Sequence, residues 1–347
     1  MASPRSDIGR AVEAGRTAAG AATGPLLEVR GLSVDYVTET VDVRAVDRVD
    51  LTLENGQFLG IVGESGCGKS TLLFAIARLL FPPAEIAEGE VVFKGKNLVS
   101  MREGELRHSR WRDFSVVMQS AMNALNPTKS IEAQFGDAMR AHSRMSDTEI
   151  RDRSAEVLKL VGIDPVHLKS YPHQLSGGMR QRAMIAMALL FTPDLVIMDE
   201  PTSALDVVAQ RSLMSQIKEL QLRLGFAVIF VTHDMSLVSR YSDRLAVMYG
   251  GQLVEVAATS ALFERPLHPY SRGLLDAFPS IRGPRRALVG IPGSPPDLGH
   301  PPVGCRFQPR CPVALAECAT REPELIAVGD AEVRCLLHEP KKATADA

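Results

Sequence analysis

The segment Gly63-Glu-Ser-Gly-Cys-Gly-Lys69-Ser70 has the residue types and spacing that bind phosphate groups. It matches the pattern G-x-x-x-x-G-K-S, follows a predicted strand at residues 58–62 and opens a predicted helix at residues 70–80. The glycines let backbone N–H groups face phosphate oxygens, and the helix dipole adds partial positive charge. We expect Lys69 to reach the β- and γ-phosphates of a nucleotide and Ser70 to bind Mg²⁺. The residues expected around the phosphates are Gly63, Glu64, Ser65, Gly66, Cys67, Gly68, Lys69, Ser70 and Thr71.

Two acidic residues, Asp199 and Glu200, end the apolar run Leu195-Val-Ile-Met. The run predicts a buried strand, and its carboxyl end is where parallel α/β sheets place ligands. Alone, such a pair is more often surface charge, but beside a phosphate loop it indicates a hydrolytic site. We expect Asp199 to hold Mg²⁺ through water and Glu200 to act as general base towards the attacking water.

A third motif, Leu175-Ser-Gly-Gly-Met179, places Ser176, Gly177 and Gly178 at the start of a predicted helix. Backbone N–H groups at a helix N-terminus form an anion site. A chain that already has a phosphate loop needs no second site for the γ-phosphate of its own nucleotide. We therefore expect these three residues to bind the nucleotide held by a partner subunit.

These motifs lie on alternating short apolar runs and longer amphipathic stretches, which predict an α/β domain. Further strands are predicted at residues 26–29, 114–118, 227–231 and 244–248. Residues 130–190 have helical periodicity, which predicts a helical subdomain inserted into the α/β core. Residues 265–312 are rich in Pro and Gly, which indicates a loop-rich region without long regular elements.

Composition and charge exclude several classes of protein. The 347 residues are 45% hydrophobic and 23% charged, as in ordinary globular proteins. A formal net charge of −2 gives no reason to expect nucleic acid as a partner. The longest tempting apolar run, residues 183–191, is far shorter than the roughly 20 residues of a membrane-spanning helix. Residues 1–24 are rich in Ala and Gly, lack a secretion signal and are predicted to be a disordered tail.

Together these motifs resemble the ATP-binding-cassette (ABC) family over about residues 26–258. The resemblance implies a P-loop NTPase cassette with a RecA-like core, an antiparallel β subdomain and an inserted helical subdomain. Residues 63–70 are similar to Walker A, residues 195–200 to Walker B, and residues 175–179 to the family signature, with Met179 in place of the usual Gln. The cofactors implied are ATP and Mg²⁺.

The resemblance also implies roles for four residues that would carry no signal alone. Gln119 is similar to the Q-loop glutamine that senses Mg²⁺ and the transporter contact. His233 is similar to the switch histidine that contacts the γ-phosphate, and Asp206 to the D-loop aspartate. Tyr36 stands where the family stacks an aromatic ring on adenine.

The C-terminal sequence resembles the extension of oligopeptide and dipeptide importer ATPases, through Leu267-His-Pro-Tyr270 and the Pro-rich, Cys-rich stretch after it. We therefore divide the chain into a tail (1–24), a nucleotide-binding domain (25–258) and a C-terminal domain (259–347). The resemblance implies a second ABC ATPase, usually a different chain, two transmembrane permease subunits and an extracytoplasmic solute-binding protein. It places the chain peripherally at the cytoplasmic face of the inner membrane. Peptides, nickel chelates, opines and oligosaccharides all stay open as cargo.

Four cysteines, Cys305, Cys311, Cys318 and Cys335, are spaced C-x₅-C-x₆-C-x₁₆-C. Scattered buried thiols are the plainer alternative, and disulfides are rare in the cytosol. Four thiolates suit Zn²⁺ or a [4Fe–4S] cluster. The lack of a C-x₂-C pair argues against an ordinary zinc ribbon, and the importer resemblance implies iron–sulfur, so we expect the cluster. We interpret Cys67 as a small filler of the phosphate loop rather than a redox-active thiol.

Other functional classes fit the sequence less well. Translation-type ABC proteins usually carry two cassettes, and DNA-repair types insert a long coiled coil, whereas this chain has one cassette and no heptad-rich insertion. The C-terminal extension argues against an exporter. Since the predicted ATP-site residues all precede residue 259, we expect nucleotide binding by the cassette largely to survive loss of the cluster.

Overall fold

The computed structural model describes residues 24–39, 41–119, 124–203, 205–277 and 290–340. The predicted tail lies outside these ranges except for Gly24. The strands are β1 Leu27–Tyr36, β2 Val43–Leu53, β3 Phe58–Val62, β4 Ala84–Phe93, β5 Lys96–Asn97, β6 Phe114–Val117, β7 Leu195–Asp199, β8 Ala227–Val231, β9 Arg244–Tyr249, β10 Gln252–Ala258, β11 Ile326–Val328 and β12 Ala331–Val333. The helices are α1 Lys69–Ile76, α2 Glu103–Ser109, α3 Ile131–His142, α4 Asp147–Leu160, α5 Gly177–Ala188, α6 Val207–Leu224, α7 Met235–Tyr241, α8 Thr259–Glu264 and α9 Pro269–Asp276.

The central sheet has the strand order β11-β12-β10-β9-β3-β8-β7-β6. Strands β9, β3, β8, β7 and β6 are parallel, and every residue of β3, β7 and β8 is buried. Such strands read as continuous apolar runs because both faces of the sheet are covered. Since β8 lies between β3 and β7, the segments that follow these three strands meet at one edge of the sheet.

A second, antiparallel sheet with the order β2-β1-β4-β5 covers one face of the central sheet. Along β7, Leu195 and Ile197 pack towards this layer and α1, whereas Val196 and Met198 pack towards the helices on the other side. This alternation is the period of two expected of a strand. The structure thus contains the predicted antiparallel subdomain beside the α/β core.

Helices α3, α4 and α5 lie between strands β6 and β7 in the chain and form the predicted helical insertion. Serine side chains cap each of the three N-termini: Ser130 accepts from Ala133 N–H, and Ser146 and Ser176 do the same for α4 and α5. Such caps satisfy backbone donors that a helix leaves unpaired. None of the helices in the described residues is long and apolar enough to cross a membrane.

The C-terminal residues pack directly against the rest of the chain. Strand β12 pairs antiparallel with β10, so the C-terminal hairpin continues the central sheet. The buried Arg306 guanidinium donates to the Asp47 carboxylate at 2.6 Å. The region predicted to lack long elements does contain α9, eight residues whose first turn buries Tyr270.

Candidate active site

The phosphate loop connects β3 to α1 and packs too tightly for side chains at two of its glycines. A Cβ on Gly63 would lie 2.1 Å from the Met248 carbonyl oxygen, and one on Gly68 would lie 2.2 Å from the Ala45 carbonyl oxygen. Gly68 also has φ +102 at the N-cap of α1, in the left-handed region that glycine favours. The sequence pattern is therefore required by the backbone itself.

Lys69 is a buried cation held only by neutral groups. Its side chain is 7% exposed, and its ammonium donates to the carbonyl oxygens of Gly63 at 2.9 Å and Glu64 at 2.8 Å. In the described part of the chain it forms no salt bridge. A buried charge is costly unless it is paired, so this ammonium is suited to an incoming anion such as a phosphate.

Ser70 and Asp199 bring two oxygen ligands together from different elements. The Ser70 hydroxyl, in the first turn of α1, donates to Asp199 Oδ1 at 3.1 Å. Burial raises the pKa of the Asp199 carboxyl, and the hydrogen bond from Ser70 opposes that rise. Asp199 is 1% exposed at the end of β7. A hydroxyl beside a carboxylate is the donor set that Mg²⁺ prefers, so these residues fit the expected ion.

Glu200 is held by the two other candidate catalytic side chains. Gln119 Nε2 donates to Glu200 Oε2 at 3.0 Å, and His233 Nδ1 lies 3.3 Å from Glu200 Oε1. Glu200 has φ +44, and its N–H donates to the Val231 carbonyl oxygen of β8. The three predicted catalytic residues therefore form one group at the edge where β6, β7 and β8 end.

A cavity of about 540 Å³ lies over the phosphate loop. Tyr36 lines it and makes a 3.1 Å hydrogen bond through its hydroxyl with Thr71 Oγ1. The lining residues are Tyr36, Val43, Ala45, Gly63, Ser65, Gly66, Gly68, Lys69, Ser70, Thr71, Gln119, Glu200, His233 and Leu298. Val43, Ala45 and Leu298 carried no local sequence signal. Leu298 belongs to the C-terminal domain, so the lining of the cavity extends beyond residue 259.

Two loop residues that were expected to bind the nucleotide do not line this cavity. Glu64 turns its carboxylate to Arg310, with a shortest contact of 2.6 Å. Cys67 is 3% exposed, and burial raises the pKa of its thiol, which keeps it protonated. A neutral, enclosed thiol supports the interpretation of Cys67 as a filler.

The signature residues and Asp206 lie away from the lining of this cavity. Ser176 Oγ accepts from Met179 N–H at 3.2 Å as the N-cap of α5, and Gly177 and Gly178 form its first turn. Asp206 caps α6 by accepting from the N–H groups of Val208 and Ala209. The structure therefore places the signature at a helix N-terminus, as predicted, but does not join these four residues to the chain's own phosphate loop.

The four clustered cysteines approach one another in the C-terminal domain. The N–H of Cys305 donates to the Cys318 carbonyl oxygen at 2.9 Å. Burial, together with the charge of the three neighbouring thiols, raises the pKa of the Cys305 thiol to about 11. Burial likewise raises the pKa of Cys311 and Cys335, each with contributions from other cysteines of the set. The sulfur atoms are thus within electrostatic range of one another.

Backbone donors face three of these sulfurs. In each case the N–H two residues further along lowers the thiol pKa against the effect of burial. The pairs are Phe307 with Cys305, Val313 with Cys311 and Leu337 with Cys335. Among the described residues, no three His, Cys, Asp or Glu side chains are arranged to hold a metal ion as they stand. The donor chemistry fits a metal that binds thiolates, but a coordination shell is not formed.

Comparison with known proteins identifies the family. Residues 46–203 match the model of the ABC transporter family, and residues 254–318 match the C-terminal region of oligopeptide/dipeptide transporters. The dipeptide transport ATP-binding protein DppD of Caldanaerobacter subterraneus subsp. tengcongensis is 42% identical over 90% of this chain and 97% of its own length. This chain belongs to the ABC transporter family. It is an ABC ATPase with the C-terminal region typical of peptide transporters.

Other relatives of this ABC ATPase agree in sequence and fold. The oligopeptide transport ATP-binding protein OppD of Bacillus subtilis is 40% identical over 88% of this chain and 86% of its own. A dimeric ATP-binding cassette, MJ0796, in a post-hydrolysis state with ADP and Pi, matches with a TM-score of 0.60 at 28% identity, over 67% of this chain and 98% of that one. CbiO1 of Clostridium perfringens, part of the ABC transporter complex cbiONQ, also matches with a TM-score of 0.60. It is 29% identical, over 70% of this chain and 92% of that one. The predicted cassette fold is confirmed.

Proposed function

We propose that this ABC ATPase powers the import of dipeptides or oligopeptides. The observation that carries the proposal is the match of residues 254–318 to the C-terminal region of oligopeptide/dipeptide transporters, in a chain whose relatives are named for peptide transport. Nickel chelates, opines and oligosaccharides are the alternative cargoes that the test must separate from peptides.

Within the site, the loop and two side chains bind the nucleotide. Loop N–H groups and Lys69 hold the β- and γ-phosphates, and Tyr36 stacks on the adenine. Ser70 binds Mg²⁺, and Asp199 holds the ion through water. Gln119 binds the same ion. When bound, the ion neutralises charge that develops on the phosphate oxygens.

The chemical step is carried by Glu200. Its carboxylate accepts a proton from the attacking water as the water oxygen bonds to the γ-phosphorus, and the bond from that phosphorus to the ADP oxygen breaks. Gln119 orients the carboxylate through the 3.0 Å hydrogen bond, and His233, whose Nδ1 lies 3.3 Å from Glu200 Oε1, contacts the γ-phosphate in our proposal. ADP and inorganic phosphate leave as products.

The signature acts on the nucleotide of a second ATPase subunit. Ser176, Gly177 and Gly178 offer the N-terminus of α5, a helix of 12 residues, and Asp206 lies at the start of α6. Support for this arrangement comes from the absence of these residues from the lining of the chain's own cavity. The partner ATPase is a different chain of the same family.

The chain assembles with two transmembrane permease subunits and an extracytoplasmic solute-binding protein. It lies peripherally at the cytoplasmic face of the inner membrane. The chain's membership of a transporter family supports this location. We expect no nucleic acid among the partners of the assembly.

Cys305, Cys311, Cys318 and Cys335 hold a [4Fe–4S] cluster, with Zn²⁺ as the alternative. Their mutual proximity, their burial and the three backbone donors that face their sulfurs support this proposal. The metal centre stabilises a small domain whose Pro-rich sequence builds little core of its own.

Uptake by the assembled transporter tests the function. Membrane vesicles that contain the permease subunits, both ATPases and the binding protein are supplied with a labelled dipeptide and internal Mg-ATP. We expect accumulation that stops when this chain is replaced by its Lys69→Ala variant. ATP-dependent uptake of an oligosaccharide or a nickel chelate, with none of any peptide, would reject the peptide assignment.

A further inference from the structure

Glu64, the second residue of the phosphate loop, is held at three of its groups. Its N–H donates to the Tyr270 hydroxyl at 2.9 Å, and its carboxylate accepts from both Nη atoms of Arg310 at 2.6 and 3.0 Å. Its carbonyl oxygen accepts from the Lys69 ammonium at 2.8 Å. The first two partners belong to the C-terminal domain, and the third is the phosphate-binding lysine of the cassette.

Arg310 is built into the structure rather than resting on its surface. It is 7% exposed at the end of a short 3₁₀ turn, Gln308–Arg310, next to Cys311. Its Nε donates to the Pro292 carbonyl oxygen at 2.7 Å, and Nη2 donates to the Ile291 carbonyl oxygen at 3.3 Å. The guanidinium is therefore fixed from several sides and presents a two-pronged fork to the Glu64 carboxylate, a geometry that lysine cannot reproduce.

We propose that Arg310 and Tyr270 are positioning residues for nucleotide binding, and that they act through Glu64 on Lys69. They fix the N–H and the carboxylate of Glu64 from outside the loop, and the Glu64 carbonyl oxygen is one of the two that hold the Lys69 ammonium. The C-terminal domain therefore contributes to nucleotide binding. The inference rests on the proposed role of Lys69.

A rigid support of this kind matters because phosphate binding depends on backbone geometry. The loop must present its N–H groups and its lysine together, and the ordering cost is lower when the loop is already held in place. Leu298 places a second part of the same domain on the wall of the cavity. The alternative is that Arg310 stabilises the C-terminal domain and leaves the nucleotide site unaffected.

Equilibrium binding of Mg-ADP to the purified full-length chain separates the two interpretations. The variants are Arg310→Met, Arg310→Lys, Tyr270→Phe, Glu64→Gln and the double variant Arg310→Met with Glu64→Gln. The matched control is Arg334→Met, since Arg334 is also a buried arginine next to a cysteine of the set, and it donates to the Leu253 and Pro323 carbonyl oxygens. Melting temperatures are measured on every variant.

We expect Arg310→Met and Glu64→Gln each to weaken Mg-ADP binding by roughly tenfold or more, as loss of a charged hydrogen-bonded pair does. The double variant binds no more weakly than the worse single variant, because both remove one interaction. The affinities of Arg310→Lys and Tyr270→Phe for Mg-ADP lie between those of Arg310→Met and Glu64→Gln and that of the wild type. Arg334→Met lowers the melting temperature but leaves the dissociation constant within about twofold, a change below the usual size of such an effect.

Three results would overturn the inference. These are wild-type affinity in both Arg310→Met and Glu64→Gln, full additivity in the double variant, or an equal loss of affinity in Arg334→Met. If Arg310→Met does not fold, Glu64→Gln and Tyr270→Phe keep the test decisive, since Glu64→Gln leaves Arg310 in place. A Lys69→Ala reference separates this inference from the proposed function: normal binding in that variant would refute the role of Lys69 itself.

Discussion

The amide of Gln119 donates a 3.0 Å hydrogen bond to the carboxylate of Glu200, across the adjacent ends of strands β6 and β7. The second carboxylate oxygen lies 3.3 Å from His233, which follows β8. Three strands thus fix the orientation of one side chain. A carboxylate oriented in this way, beside a phosphate loop, is placed to receive a proton from water.

Replacing this carboxylate tests its role directly. Glu200→Gln keeps the shape of the side chain but cannot accept a proton, so we expect ATP hydrolysis to fall by roughly 10²-fold or more while ATP binding persists. Turnover in the assembled transporter and equilibrium binding of ATP are the measurements. Glu219→Gln, an exposed change on α6, is the control. Near-normal turnover in Glu200→Gln would remove Glu200 from the chemical step.

The pair formed by Ser70 and Asp199 predicts a Mg²⁺-specific defect. Asp199→Asn removes the negative charge that holds Mg²⁺ through water, so we expect the Mg²⁺ concentration for half-maximal activity to rise by roughly 10- to 100-fold. Binding of ATP without the metal changes little. The control is Asp194→Asn. Asp194 directly precedes β7 and is half-exposed in a salt bridge with Lys94. Equal Mg²⁺ requirements in the two variants would contradict the role of Asp199.

Much of the fold could be predicted from the sequence where local pattern decides structure. The predicted strands at residues 58–62 and 227–231 match β3 and β8, and the loop, the buried strand β7 and the capped helix α5 lie where their motifs placed them. Strands β2, β4, β5, β10, β11 and β12 were missed. Strand β2 alternates between buried and exposed residues, and β4 is largely exposed and carries Glu85, Glu88 and Glu90, so neither strand has a long apolar run.

The part of the site that could not be predicted depends on contacts distant in sequence. Leu298 has no motif around it, and the pair of Arg310 with Glu64 joins residues 246 apart. An arginine in a Pro-rich stretch gives no sign of its partner, because the partner is set by how two domains pack. For the same reason the sequence separated the cysteine-rich domain from the nucleotide site, whereas the structure connects them.

A shared site predicts complementation between two inactive subunits. Ser176→Arg blocks the signature and Lys69→Ala blocks the phosphate loop, so a mixed dimer retains one composite site with both residues intact. We expect part of the ATPase activity to return on mixing, if the chain pairs with itself. With a different natural partner, the second substitution is made at the matching position of that chain.

The control for the complementation experiment must account for the helix N-cap that Ser176 provides. Ser176→Arg also removes the N-cap of α5, which costs about 1 kcal/mol of stability. Ser130→Arg removes the cap of α3 in the same subdomain without touching the signature, so it should keep its activity. Failure to complement in pairs that demonstrably associate would count against the shared site.

The four-cysteine site predicts a coloured protein. Chain purified without oxygen should be brown and contain iron and sulfide, and Ser in place of Cys305, Cys311, Cys318 or Cys335 should bleach it. Cys67→Ser should leave the colour unchanged, because Cys67 lies in the phosphate loop. Elemental analysis decides: zinc without iron would replace the cluster by Zn²⁺, and no metal in freshly prepared chain would refute both.

His268 predicts a loss of stability in mild acid. It is fully buried, its Nδ1 accepts from Tyr270 N–H at 3.0 Å, and burial lowers its pKa from 6.5 to about 3. A lowered folded pKa means that only the unfolded chain takes up this proton as the pH falls from 6.5 towards 3. The resulting loss amounts to about 2 kcal/mol by pH 5.

Comparison with an uncharged cap isolates the contribution of His268. His268→Asn keeps a side-chain acceptor at the N-terminus of α9 but does not titrate in this range. We expect the free energy of unfolding, measured in urea at pH 7 and pH 5, to change less with pH in the variant than in the wild type. Identical pH dependence in the two proteins would show that His268 does not carry the effect.

The contact of Arg306 with Asp47 joins residues 259 positions apart, and strand β12 pairs with β10 only near the end of the chain. During synthesis at roughly 5–20 residues per second, Asp47 leaves the ribosome about 13–52 seconds before Arg306, and β10 precedes β12 by about 4–15 seconds. Until Arg306 is made, the Asp47 carboxylate lacks one of its arginine partners and has Arg44 and Arg48 beside it, and one edge of the central sheet stays open to other chains. The nascent protein is therefore most prone to aggregation between the synthesis of β10 and that of β12.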